Sequence, residues 1–517
     1  MTRREFIAGA AATGAVAKTW GAGARPKLRV GIMSDAHCRN LERGFRIFEA
    51  AKVDAVLLTG DMFLFSTVKE LEDVAAAWFK VFPNDRRGDG EKVERLFITG
   101  NHDEIDWCRP FESWEDLQAR SMRFNREVAW RRLFGEDYEK IRIKEVKGYK
   151  FILRHWLCGK KMAFGHEIPA EEDVTTAFMA EHAAELRAER KPFFYVQHDP
   201  IDETVNCSWL LGGAKWDVGY SRRGERAVLD KFPNCIALTG HSHASLTDEK
   251  SIWQGAFTAV NCSCAHGHLF TPPGRENGRC PAYDLKRMPP MEMEIIDRWQ
   301  SPQGLVMDVS DEEVRFQRLD ILKDESVGSD WVVPLFEGGA TVPPTGVPKY
   351  DFKARKSASK PPVFASDAKV TVSRIKDGHY RKFGSIEKGL ELGETHEQIK
   401  VSFPTITTVR SPSRAYDFAV RCEVEMGDVV RTVCESRVFS PYFAMGEQWD
   451  GEDAWCIFPA SVIPRGYGTG WRPEESGVDS ADCLLRCFSS GGWSRFEEGT
   501  VCPSPGSQTE YSGRLEC

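Results

Sequence analysis

One arrangement of apolar and polar positions returns five times between residues 28 and 243. A short apolar run, of the length that predicts a buried strand, ends in a cluster of polar residues able to bind metal. The runs are Leu28 to Met33, Ala55 to Leu58, Leu96 to Ile98, Phe193 to Val196 and Ile236 to Leu238. Helical spacing fills gaps between them, over Glu42 to Ala51 and Val68 to Phe82. That alternation predicts an α/β fold with largely parallel strands. In such sheets ligands collect at the carboxyl ends of the strands, where every one of these clusters falls.

Around this framework the pattern changes. Residues 104–192 form too long a connection for one loop and are rich in charged and aromatic residues. We expect helices and a hairpin near Ile141 to Arg154, forming a cap over the strand ends. Leu305 to Val309 and Val314 to Leu319 flank Ser310-Asp311-Glu312-Glu313, a hairpin that closes a catalytic domain spanning 25–321. Proline, glycine, serine and lysine then accumulate over 322–365, which reads as a linker. Residues 366–443 return to short alternating runs, at Ala368 to Val372, Ile399 to Phe403, Tyr416 to Val424 and Val429 to Val438. Their rhythm resembles a small β-sandwich of the fibronectin type III kind. The tail over 444–517 is rich in Cys, Gly and Trp and predicts no particular fold.

Composition narrows the function classes. At 517 residues the chain exceeds one typical domain, and its 41% hydrophobic and 28% charged residues are ordinary for a globular protein. A formal net charge of -8 gives no footprint for long nucleic acids. At the N-terminus Arg3-Arg4 precede an apolar stretch to Ala17, and Ala15-Val16-Ala17 offer the small residues a signal peptidase needs. Residues 1–24 thus resemble a twin-arginine export signal, so the mature protein is expected to be periplasmic or extracellular. No other stretch approaches the ~20 apolar residues that span a bilayer. Fifteen cysteines is an odd number, and most are expected to be buried thiols or disulfides.

In chain order the polar clusters are Asp35-Ala36-His37, Gly60-Asp61, Gly100-Asn101-His102-Asp103, His198 and Gly240-His241-Ser242-His243. Each alone is weak, since a Gly-Asp pair is more often a turn and a strand-terminal His more often a satisfied polar residue. Five in this order, each closing an apolar run, point to a two-metal centre. Two adjacent divalent cations need carboxylate oxygens to offset their repulsion, and neutral imidazoles to fill the remaining positions. Asp61 is the natural bridge between the two. Asn101 offers a neutral amide oxygen, which leaves its cation more positive and better able to polarise a phosphoryl oxygen. Ions roughly 3.5 to 4 Å apart share a hydroxide and hold phosphate and nucleophile in line.

These blocks resemble the calcineurin-like metallophosphoesterase superfamily over about residues 28 to 320. The resemblance implies a four-layer α-β-β-α sandwich with a smaller C-terminal all-β domain. It implies that Asp35, His37, Asp61 and His243 bind one metal, and Asp61, Asn101, His198 and His241 the other, the ions being Mn, Fe, Zn or Mg. His102 would protonate the leaving alkoxide or bind the transferring phosphoryl group. The reaction implied is hydrolysis of a phosphomonoester or phosphodiester. In place of the carboxylate or Tyr that some relatives carry three residues after the bridging Asp, this chain has Leu64. The orientation of His102 must then come from elsewhere, with Asp103 as candidate.

Neighbouring residues have plainer readings. Cys38 and Cys108 are expected to pack. Arg154 and His166 are expected to sit in the core or in solvent. His266 and His268 lie outside the family blocks, and Asp199 reads as a loop or outer residue. Two other function classes stand beside the enzyme. One is an extracytoplasmic binding protein with an inert phosphoesterase domain, its C-terminal module contacting glycan or protein, against which the complete ligand set argues. The other, still within enzymes, is a nucleotidase or nuclease, of which the acidic balance disfavours long polymer substrates.

Overall fold

A computed structural model describes residues 26–104, 125–156, 174–205, 208, 223–267, 270–271, 275–276 and 302–358, and towards the C-terminus 369–377, 396–404, 417–426, 429–439, 454–459, 482–489 and 510–515. The expected export signal, Cys108, His166 and His268 lie outside the described residues.

Up to residue 200 the elements are β1 (Leu28–Met33), α1 (Leu41–Ala50), β2 (Ala55–Thr59), α2 (Val68–Val81), β3 (Glu94–Ile98), α3 (Asn101–Glu104), α4 (Arg126–Phe134), β4 (Ile141–Val146), β5 (Tyr149–Arg154), α5 (Val174–Glu181), α6 (Ala183–Ala188) and β6 (Phe193–Val196). There follow α7 (Arg223–Leu229), β7 (Cys235–Thr239), β8 (Ile252–Gln254), β9 (Thr258–Asn261), a two-residue pair β10 (Phe270–Thr271) and β11 (Arg275–Glu276), β12 (Gln303–Val309), β13 (Glu313–Asp320), β14 (Glu325–Ser326), β15 (Trp331–Pro334) and α8 (Phe352–Ala358).

Two mixed sheets result. The first runs β14-β13-β12-β1-β2-β3, with β15 also paired to β13; the second runs β4-β5-β6-β7-β9-β8. β1 is parallel to β2 and antiparallel to β12, while β5, β6, β7 and β9 run parallel.

β2, β6 and β7 bury both faces and β1 nearly so, which is why they read as continuous apolar runs. Val30, Ile32, Leu57 and Ile98 of the first sheet meet Phe151, Leu153, Phe194, Val196 and Leu238 of the second in one core. On the opposite face of the first sheet, Val56, Leu58 and Phe97 pack under Phe45 and Phe48 of α1, Trp78 of α2 and Trp130 of α4. Ile152, Tyr195 and Ala237 pack beneath Met179, Leu186 and Leu229 of α5, α6 and α7. The layers are therefore α-β-β-α, as expected. Each such side chain contributes about 1.5–3 kcal/mol by leaving water.

The hairpin expected near Ile141 to Arg154 is present as β4 and β5 at the edge of the second sheet, covered by α5 and α6, while 105–124 and 157–173 of the stretch expected to cap the site lie outside the described residues. Arg154 is buried, with Glu225 at 3.1 Å, a core ion pair.

The linker expected over 322–365 is, as far as 358, part of the domain. Trp331 and Val333 of β15, Val327 and Tyr350 are buried in the central core. Thr341 O accepts from Gln254 Nε2 at 2.6 Å. The Pro and Gly content reports tight turns between these anchors, an outcome composition alone does not separate from a linker.

Among the described residues seven further strands follow: β16 (Thr371–Asp377), β17 (His396–Phe403), β18 (Asp417–Met426), β19 (Val429–Phe439), β20 (Ala454–Pro459), β21 (Asp482–Ser489) and β22 (Glu510–Leu515). They form two antiparallel sheets, β16-β17-β20 and β19-β18-β21-β22. Three of them come from the tail, so both sheets extend past residue 443.

Candidate metal centre

The five polar clusters meet where β1, β2, β3, β6 and β7 end. The backbone there is unusual: Asp35 (φ 50), His37 (φ 43), Asp61 (φ 51), His241 (φ 64) and His243 (φ 47) all lie in the left-handed region. For residues with a Cβ this costs roughly 1–2 kcal/mol each, so the surroundings must hold them there. They do so through the main chain. Asp35 N donates to Gly60 O (3.0 Å), His37 N to Asp61 O (3.0 Å) and Gly240 N to His198 O (2.8 Å), which links the strand ends directly.

Two glycines allow this approach. A Cβ on Gly240 would stand 1.9 Å from Ser34 Oγ and 2.7 Å from Asp35 Oδ2. One on Gly60, at φ +100, would meet His198 Nδ1 at 2.6 Å.

The carboxylates are used on one side and left open on the other. Asp35 Oδ2 accepts from His241 N at 2.9 Å and from the Ser34 hydroxyl, while Oδ1 faces His243 Nε2 at 3.1 Å. Asp61 Oδ1 accepts from His102 N at 2.8 Å, and Oδ2 lies 3.2 Å from His198 Nε2.

The imidazoles are fixed by carbonyls. His198 Nδ1 lies 2.8 Å from Thr59 O and His37 Nδ1 2.8 Å from Phe63 O, so each donates there and turns its Nε2 lone pair inward when neutral. His198 Nε2 has Asn101 Oδ1 and His241 Nδ1 each at 3.1 Å, besides Asp61.

Lone pairs converging in this way require something positive between them. Three groups have ligand atoms within 4.8 Å of one another: Asp35, His37 and His243; His37, Asp61 and His102; and Asp61, His198 and His241. With Asn101 on His198 Nε2, all seven sequence-chosen ligands converge, and the donor set of carboxylates, imidazoles and one amide fits divalent cations. His37 and Asp61 each belong to two of the groups.

Charges in the metal-free chain agree. Burial works against a charged His198, yet the Asp61 and Asp35 carboxylates raise its pKa to about 10, so a proton stands in for a cation. Burial also opposes ionisation of Asp35, but His243 and His198 outweigh it and hold the carboxyl at about 2. Burial lowers His37 to about 4 and His241 to about 3, keeping both as neutral imidazoles.

His102 stands edge-on to His37, ring centroids 4.8 Å apart, with Nδ1 3.3 Å from Leu64 O. That carbonyl, and not Asp103, orients the ring. Asp103 instead accepts from Phe63 N and Gly100 N, both at 2.7 Å, stapling the loop after β2 to the loop after β3. Glu70, capping α2 with Thr67, holds Leu64 N at 2.9 Å and so fixes the carbonyl that meets His102.

Sequence reading missed this role of Leu64 because a backbone carbonyl leaves no residue-type signal. It also passed over Asn261, whose Nδ2 donates to Gly240 O at 3.2 Å. Asp199 lies outside the inner set: Trp156 Nε1 donates to it at 3.3 Å, and its Oδ1 is 3.9 Å from His241 Nε2. Among the described residues Cys235, Cys262 and Cys264 are buried free thiols, and Cys38 is an exposed one.

Residues 28–245 match the family model described as calcineurin-like phosphoesterase. Similar solved structures include a dimetal phosphatase from Danio rerio, with 10% identity, 60% of this chain and 99% of that chain covered, and a TM-score of 0.36. A purple acid phosphatase from yellow lupin seeds has 12% identity, 63% and 58% coverage and a TM-score of 0.36. The inner membrane complex anchor GAP50 of Plasmodium has 11% identity, 64% and 93% coverage and a TM-score of 0.34. No curated protein matches the chain. No helix among the described residues is long and apolar enough to cross a membrane.

Proposed function

We propose that the chain hydrolyses a phosphate ester, monoester or diester, at a centre of two divalent ions. Asp35, His37, Asp61 and His243 hold one ion; Asp61, Asn101, His198 and His241 hold the other. The observation that carries this reading is the meeting of Asn101 Oδ1, His241 Nδ1 and Asp61 Oδ2 around the one nitrogen His198 Nε2.

When bound, the ions supply Lewis acidity toward phosphoryl oxygens and a nucleophile at neutral pH. The chain's own residues do the rest. Asp61 contributes the charge that makes adjacent cations tolerable, and Asn101 adds a donor without adding charge. His102, its Nδ1–H directed to Leu64 O, keeps Nε2 for donating a proton to the departing alkoxide.

The retained ligand set supports this reading over an inert binding domain. Export through the twin-arginine route rests on Arg3-Arg4 and the following apolar stretch, and a glycan or protein partner for the C-terminal strands remains part of the proposal alone. The test is turnover of small chromogenic mono- and diesters by the purified chain, before and after chelation and after return of Mn²⁺ or Zn²⁺. Turnover that chelation abolishes and metal restores is expected; no turnover of any ester with metal present would refute it.

A further inference from the structure

His266 belongs to none of the family blocks, yet the structure builds it into the centre. The loop from Cys262 to Gly267 after β9 is laced to the turn that carries Asp35 and His37. Ala265 N donates to Ser34 O at 2.8 Å and His266 N to Asp35 O at 3.0 Å. The Cys264 thiol donates to Asp35 O at 3.3 Å, and Asn40 Nδ2 to Ala265 O at 2.7 Å. Loop and turn therefore move as one piece.

On that base the His266 ring stands edge-on to His37, centroids 5.4 Å apart and planes at 84°. His102 meets the same ring edge-on at 4.8 Å and 88°, and His243 lies at 5.8 Å. His37 is thus walled by three rings, two of them perpendicular to it. Its hydrogen bond to Phe63 O decides which nitrogen carries the proton; the walls decide where the plane of the ring lies. His266 is in none of the three groups whose ligand atoms converge.

We propose that His266 is a positioning residue for the Asp35–His37–His243 half of the centre, holding the His37 ring so that its Nε2 lone pair stays aimed between Asp35 and His243. This rests on the two-metal reading above. Packing between perpendicular rings is the means, so the shape of the ring carries the effect.

The test titrates the metal-free full chain with Co²⁺, followed by visible absorption, in wild type, His266→Ala and His266→Phe, with thermal melting to confirm folding. Wild type should fill two positions. In His266→Ala one position should weaken by roughly 10- to 100-fold, the usual cost of losing an outer partner, while the other keeps its affinity. His266→Phe should restore most of the loss. Wild-type affinities in His266→Ala would overturn the proposal. So would a His266→Phe chain as weak as His266→Ala, because the imidazole would then be needed as a ligand or hydrogen-bonding group. Wild type that takes up no Co²⁺ would instead fell the metal-centre reading, and this inference with it.

Discussion

His102 Nδ1 lies 3.3 Å from the carbonyl oxygen of Leu64. A main-chain oxygen here orients the imidazole, a task that elsewhere falls to a carboxylate. The contact fixes the ring through Nδ1 and leaves Nε2 to face the centre.

His102→Ala should therefore leave metal content intact while kcat on an alkyl phosphate falls by roughly 10²- to 10⁴-fold. The loss should shrink for nitrophenyl esters, whose leaving group needs little protonation. Because His102 also falls in a converging group with His37 and Asp61, elemental analysis of the variant decides between acid and ligand. Loss of metal would make it a ligand.

Asp61→Asn keeps the shape and the oxygen that accepts from His102 N, but removes the charge shared by two of the converging groups. Both ions should be lost, and activity should fall by more than the roughly 10- to 100-fold that an outer partner is worth. Metal content and turnover measured on one preparation check this. Full occupancy in Asp61→Asn would show that the charge is supplied elsewhere.

His155 sets an acid limit on stability. Burial, helped by Arg142, lowers its pKa from 6.5 to about 3, and its Nδ1 accepts from Thr99 N at 3.0 Å. Below pH 6.5 the unfolded chain therefore binds a proton that the folded chain does not. This contribution to stability is whole above pH 6.5 and is lost as pH falls towards 3, by about 1.4 kcal/mol per unit within that window. Urea unfolding between pH 4 and 7 should show the slope in wild type. His155→Phe should make that limb shallower by about 1.4 kcal/mol per unit, the rest of the slope coming from the likewise lowered His37 and His241, and should lower the plateau by about 1–3 kcal/mol, since Thr99 N loses its acceptor.

Strand positions and metal ligands were legible in the sequence for one physical reason. Strands buried on both faces must be apolar throughout, so the first polar residue after each run marks both the strand end and the site. β1 and β6 match their apolar runs residue for residue. Where composition had to stand in for periodicity, the reading failed: the Pro- and Gly-rich stretch around Tyr350 packs into the core. Leu64 and His266 act through a carbonyl and through ring packing, neither of which residue type encodes.

The account stands most directly on the number of divalent ions per chain in catalytically competent protein, measured by elemental analysis alongside phosphate-ester turnover as metal is titrated back into the chelated enzyme. Turnover that rises with occupancy and levels at two ions per chain is predicted. Full turnover by a chain stripped of divalent metal would contradict it.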